Sequence, residues 1–147
     1  LMIGQVASYH PVIASQPNGV TDGFLTFAQF PSPDRETCDQ NICEWIDRYE
    51  SIYGVSPNIG SAYGYMYADL AAKAIEIAGD DLNTDTFINA LESIKDYQLI
   101  FGEGTLSFGP EKHLGSNDAY LFEVKNGKFV QISNQDFNSS EQDLLIQ

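Results

Sequence analysis

The stretch Ala62–Gly79, AYGYMYADLAAKAIEIAG, decides how this chain is read. Tyr63, Met66, Tyr67, Leu70, Ala71, Ala74, Ile75 and Ala78 recur at helical spacing, so a helix is predicted from about Ile59 to the stop at Gly79. Its many alanines permit close packing against a sheet or a second helix. Tyr63, Tyr65 and Tyr67 alternate at its start, and about half of them must face away from the core. A tyrosine that faces a cleft offers a small ligand an apolar body with a polar tip, whereas packing between elements is the plainer use of each.

Downstream, Phe87, Ile88, Leu91 and Ile94 share one face of a further helix, with Thr84 as its expected cap, Asp85 complementing the dipole and an end near Tyr97 or Gln98. Leu106 and Phe108 flank Ser107 in a short strand after the Gly102-Glu103-Gly104 loop. Ala119–Val124 and Phe129–Ile132 alternate as strands, and Lys125-Asn126-Gly127-Lys128 between them has the chemistry of a type I′ hairpin turn. After Ser133 the chain becomes polar and acidic, with only Leu144-Leu145-Ile146 to anchor it; a disordered tail or a late docking helix is expected.

Upstream, Leu1–Ala7 reads as a buried strand ending near Ser8 and Tyr9, with Pro11 and Pro17-Asn18-Gly19 breaking the pattern. Gly23–Phe30 is a second strand, closed by Pro31 and Pro33. Thr37 and Gln40 have the spacing of a capping box ahead of Ile42, Trp45, Ile46, Tyr49, Ile52 and Tyr53, and Gly54 is placed for a left-handed helix cap. Helices between strands make the class α/β, with a sheet covered on both faces.

Composition bounds the function. At 147 residues and 43% apolar content the chain has the size of one ordinary domain and can bury a core. Seven basic against 21 acidic residues leave a formal charge of −14, which repels nucleic-acid phosphates and anionic lipid surfaces. No apolar stretch approaches the roughly 20 uncharged residues of a membrane span. With no Met at position 1 and no basic segment before an apolar run, the chain is expected to begin in mid-protein.

The sequence contains several partial motifs. Asp81, Asn83, Asp85, Phe87 and Glu92 fit the spacing of a helix-loop-helix calcium loop, but Thr86 stands where such a loop needs Gly, and the segment reads better as a helix-capping turn. Ser8 and His10 lack the Gly-x-Ser-x-Gly elbow of a nucleophilic site, and both His10 and His113 are read as surface residues. Gly102-Glu103-Gly104 lacks the third Gly of a dinucleotide fingerprint. Asn138-Ser139-Ser140 has the form of a glycosylation acceptor. Cys38 and Cys43 lack the further ligands of a zinc site, so two free thiols and a short disulfide stay open; bridging requires Cys38 to lie outside the helix, since a five-residue step spans about 8 Å along its axis. Neither a catalytic residue nor a metal or cofactor site is assigned.

Taken in order, Trp45-x-x-x-Tyr49-x-x-x-Tyr53-Gly54, Ala62–Asp69, Ala74–Gly79, Ala90-Leu91-Glu92-Ser93-Ile94, Gly104–Phe108 and Val124–Phe129 resemble the carboxy-terminal part of type I periplasmic binding proteins, nearest the branched-chain amino-acid branch. The resemblance covers roughly Leu1 to Ile132. It implies two α/β lobes with ligand held between them and closure about a hinge. Residues 1–27 would be a second-lobe segment, 28–117 a first-lobe segment with three helices, 118–133 a hairpin returning to the second lobe, and 134–147 a polar tail. The chain would then cross the hinge twice, near Phe27–Pro31 and Asn117–Tyr120.

By the same resemblance the chain is not an enzyme but part of the substrate-binding component of an ATP-binding-cassette importer, periplasmic or extracellular. It would take a small organic solute such as an amino acid and work with a membrane permease. An extracellular sensing domain of a membrane receptor or kinase is the alternative. The family's ligand-facing positions correspond to Gln5, Ser8 and Tyr9 after the first strand and to Tyr63 and Tyr65 at the helix start. Because complete members are more than twice as long, the apolar faces of this chain would be covered by a missing amino-terminal portion or by self-association.

Overall fold

The computed structural model describes residues 2–132 apart from 103 and 117. The polar tail from residue 134 and the acceptor triplet at Asn138 lie outside the described residues. The chain divides into two compact units, residues 1–59 with 117–147, and residues 60–116.

The first unit is built on a four-stranded sheet in the order β1-β2-β5-β6, from β1 (Ile3–Gly4), β2 (Leu25–Ala28), β5 (Tyr120–Lys125) and β6 (Lys128–Gln131). β1 runs parallel to β2 with Gly4 opposite Thr26, and the other two pairings are antiparallel. The hairpin turn is the expected one: Asn126 and Gly127 have φ of 52° and 79°, both left-handed as a type I′ turn requires.

Alternation along β2 and β5 turns Thr26, Phe122 and Val124 inward, each at most 1% exposed. The segment after β1 covers that face. Tyr9 seats its ring against Phe122 at 4.5 Å and Phe129 at 4.6 Å between centroids, and α1 (Pro11–Ala14) packs on β6. Burying a ring such as Phe122 contributes about 2–3 kcal/mol, and each tilted ring pair adds about 1 kcal/mol.

The strand expected over Leu1–Ala7 is shorter than its apolar run suggests. After Gly4 the chain tightens into a 3₁₀ turn, Val6–Ser8, in which the Gln5 carbonyl accepts from the Ser8 amide at 2.8 Å and from the Thr26 hydroxyl at 2.9 Å instead of from a ladder amide. Gly4 is required by space: a β-carbon there would lie 2.5 Å from Phe24 Cζ and 2.6 Å from Ser8 Oγ. Pro11 starts α1 instead of merely breaking a strand, since its fixed φ suits a first helical position.

Helix α2 (Gln40–Tyr53) is capped by Asp39, whose carboxylate accepts from the Ile42 amide at 2.9 Å, and not by the Thr37/Gln40 box that the spacing suggested. It ends as expected at Gly54, in the left-handed conformation at φ 68°. Cys38 therefore precedes the helix. The disulfide Cys38–Cys43 forms across the helix start with 5.5 Å between Cα atoms, which resolves the open alternative. Arg35 adds a second tie to α2, at 2.7 Å from both Asp47 and Glu50. Hydrogen bonds from Arg35 and then Ser56 hold the Glu50 carboxyl below its ordinary range, while Glu50 and Asp47 raise the Arg35 guanidinium. Lys128 of the hairpin reaches Glu36 at 2.7 Å, which raises its own ammonium pKa.

The second unit holds α3 (Ile59–Ala78, entering from the first unit), α4 (Thr84–Ser93) and a two-stranded ribbon of β3 (Tyr97–Gln98) and β4 (Thr105–Leu106). Ala74, Ala90 and Ile94 form its core, with Leu70, Phe87, Leu91 and Phe108 packed around them. The alanines of α3 thus permit the close approach that their spacing suggested.

The cap of α4 is Asn83, one residue before the expected Thr84. Its side-chain oxygen accepts from the Asp85 and Thr86 amides, and the Thr86 hydroxyl accepts from the Asn83 amide at 2.9 Å, a reciprocal capping box. The helix also stops earlier than its apolar period implied. Ile94 is extended, its carbonyl accepts from the Phe108 amide at 3.0 Å, and the segment that follows pairs as β3 with β4. The strand expected at Leu106–Phe108 is correspondingly displaced to Thr105–Leu106.

Candidate functional site

The turn that follows β1 brings Gln5, Ser8 and Tyr9 together in the first unit. A parallel strand leaves its sheet at the carboxyl end, where the chain turns out of the plane and exposes backbone and side chains to whatever lies above the sheet. Here that exit is the 3₁₀ turn. The Gln5 side chain is exposed, Ser8 is half-buried above Gly4, and Tyr9 is only 3% exposed. The three are therefore neighbours in different environments. The Tyr9 ring belongs to the apolar face of the sheet, and its hydroxyl oxygen accepts from the Ser32 amide at 3.1 Å, which ties the turn to the segment after β2.

The polar anchor of the turn is Thr26. Its hydroxyl donates to the Gln5 carbonyl at 2.9 Å across 21 residues of sequence, and Thr26 itself is 0% exposed. The same carbonyl accepts the Ser8 amide, so both its lone pairs are used. Nothing in the sequence period marks this threonine, because a strand interior with Leu25, Phe27 and Ala28 reads the same with Val in its place.

His10 is exposed, and its Nδ1 accepts from the Val12 amide at 3.2 Å as the cap of α1. His113 is also exposed and lies 3.2 Å from Glu92. Both occupy the surface positions that the sequence indicated. The Asp81–Asp85 segment is the capping turn of α4, with the Thr86 hydroxyl donating to the Asp81 carbonyl at 2.8 Å. Among the described residues no group of three or more His, Cys, Asp or Glu is arranged to hold a metal ion.

Tyr63 and Tyr65 lie in the first turns of α3, two positions and so about 200° apart on the helix. The structure consequently puts them on different faces. Tyr63 is half-buried and stacks on Tyr67 one turn on, with centroids 6.0 Å apart, while Tyr65 is 37% exposed and meets the buried Phe101 edge-on at 6.1 Å.

One turn beyond Tyr65 is a contact that the sequence reading missed: the Tyr97 hydroxyl donates to Asp69 Oδ2 at 2.5 Å. That hydrogen bond, aided by burial and the charge of Asp69, pushes the Tyr97 phenol up to about 12. The four-residue step from Tyr65 to Asp69 was visible as one helix face, but the partner in β3 was not.

The family described as periplasmic binding protein matches residues 2–128. A branched-chain amino-acid ABC transporter protein from Thermus thermophilus, solved with bound valine, superposes with a TM-score of 0.76 at 19% identity, over 94% of this chain and 39% of its own. A fatty acid ABC transporter substrate-binding protein from Thermomonospora curvata gives 0.73 at 22% identity, over 94% and 36%. A solute-binding protein from R. palustris in complex with benzoate gives 0.66 at 18%, over 94% and 37%. The chain thus spans under two fifths of the length of each of these three solved structures. No curated protein matches it. Among the described residues no helix is long and apolar enough to cross a membrane.

Proposed function

The chain belongs to the type I periplasmic binding protein family, and from that premise we propose that its parent protein captures a small organic solute, such as an amino acid, for an ATP-binding-cassette importer. The family consists of solute-binding proteins rather than enzymes, and its relatives bind small ligands and work with ABC transporters. The observation that carries the proposal is the joint agreement of family and fold over nearly the whole described chain. Solved structures at TM-scores of 0.66 to 0.76 hold valine or benzoate or are named for fatty acids, so fold alone does not select among carboxylate-bearing solutes.

In this reading the parent is exported and presents its load to a membrane permease. Residues 1–27 and 118–133 contribute to one lobe and 28–117 to the other, so that the chain crosses the hinge twice. Gln5 and Ser8 offer an exposed amide and a half-buried hydroxyl to the ligand, Tyr9 braces the turn that carries them, and Tyr63 and Tyr65 contribute from the start of α3. Ligand contact on both lobes favours the closed form in proportion to its differential affinity for that form.

Isothermal titration of the full-length protein with L-valine, L-leucine, benzoate and a medium-chain fatty acid tests the reading. Saturable one-to-one binding of one of these, weakened at least several-fold by Gln5→Ala or Ser8→Ala with the fold intact, is expected. A folded protein that binds none of them overturns the reading.

A further inference from the structure

The buried threonine of β2 is the polar group whose burial the fold by itself does not require. Thr26 sits among Gly4, Ala28, Phe122 and Val124 on the covered side of the sheet, where valine would fill the same volume without bringing a hydroxyl out of water. Its hydroxyl is not idle. It donates to the Gln5 carbonyl, at the point where β1 leaves the sheet and the 3₁₀ turn begins.

We propose that Thr26 is a positioning residue for ligand capture: its buried hydroxyl fixes the Gln5 carbonyl, and through it the turn that carries Gln5 and Ser8. The inference rests on the role proposed above for that turn. It adds a residue that touches no ligand.

Three contacts make the mechanism specific. The Gln5 carbonyl receives the Thr26 hydroxyl at 2.9 Å and the Ser8 amide at 2.8 Å, so the donor that closes the 3₁₀ turn and the donor that ties it to β2 converge on one oxygen. Gly4, opposite Thr26 in the ladder, has no β-carbon because Ser8 and Phe24 occupy that space, which presses the Ser8 side chain onto the strand. Tyr9 closes the turn from its far end through the Ser32 amide. With Thr26 silent, the turn keeps its local bond but loses its tie to the neighbouring strand. The Gln5 side chain and the Ser8 hydroxyl then sample orientations that the ligand must select from, at a cost in affinity.

The test compares Thr26→Val, which keeps the volume and removes the donor, with Thr26→Ser, which keeps the donor and removes a methyl group. Both are made in the full-length protein. Amide hydrogen exchange at Ser8 and Tyr9, without any ligand, is expected to quicken roughly three- to tenfold in Thr26→Val, the range of one net hydrogen bond. Thr26→Ser is expected to restore it, and exchange at Val124, across the sheet, is expected to stay unchanged in both.

Affinity for whichever of L-valine, L-leucine, benzoate or the medium-chain fatty acid the unaltered protein binds should weaken by a similar factor in Thr26→Val and recover in Thr26→Ser. A purely structural role predicts instead that the cavity-forming serine variant is the worse of the two. Unchanged exchange at Ser8 and Tyr9 in Thr26→Val overturns the inference, as does unchanged affinity. If the unaltered protein binds none of the probes, the capture reading fails and takes the ligand role of Thr26 with it; the exchange comparison then still decides whether the threonine holds the turn.

Discussion

Tyr97 shows at the scale of one residue how a contact becomes a pH dependence. Its hydroxyl donates to Asp69, and this bond, with burial and the Asp69 charge behind it, raises the phenol from 10.0 to about 12. A group whose pKa is raised by folding contributes stability that is fully present below the unfolded value and is lost as pH climbs through the folded one. Stability should therefore fall between pH 10 and about 12 more steeply in the native sequence than in Tyr97→Phe. Urea denaturation at several alkaline pH values measures the difference, and parallel curves for the two proteins would refute the assignment. The same bond joins β3 to the face of α3 that carries Tyr65, so its loss would be felt beside a proposed ligand contact.

At the scale of elements, the ends of helices carry more information than their middles. The apolar period of α4 located its body, while its start was set by Asn83 and its stop by the strand pairing that follows. Asn83 satisfies two amides that would otherwise have no partner inside the helix. Replacing it with Ala should cost about 1 kcal/mol, whereas Thr84→Ala, at the position the sequence pattern favoured, should be neutral or stabilise by a few tenths of a kcal/mol, because Ala has the higher helix propensity. Chemical denaturation of the two variants separates them, and equal losses would show that the cap is shared. The start of α2 follows the same logic. Asp39 caps it, and Cys38 is left outside where it can reach Cys43.

For the whole molecule the dominant quantity is charge. Twenty-one acidic residues against seven basic ones make self-repulsion a general destabilising term, and the few exposed ion pairs, such as Arg35 with Asp47 and Lys128 with Glu36, contribute little against it. Screening weakens both, but the repulsion is summed over many more pairs. Thermal melting should therefore shift upward when sodium chloride rises from about 20 mM to about 300 mM, where the Debye length shrinks to several ångströms. A downward shift would mean that the ion pairs of the β2–α2 connection outweigh the repulsion.

The α/β class, the three long helices, the Asn126-Gly127 turn and the family are legible in the order of residues, because each depends on periodicity or on local backbone preference that neighbouring residues express without outside help. The sequence also pointed to the exit of β1 and the start of α3 as the places where a ligand would be met. Only the tertiary fold makes Tyr9 a brace within the core, brings the Thr26 hydroxyl to the Gln5 carbonyl and brings the Tyr97 hydroxyl to Asp69. The physical reason is range. A cap or a turn is an interaction over two to four residues, whereas the bond from Thr26 to Gln5 spans 21 and that from Tyr97 to Asp69 spans 28, and no local pattern encodes which distant partner a polar group will find.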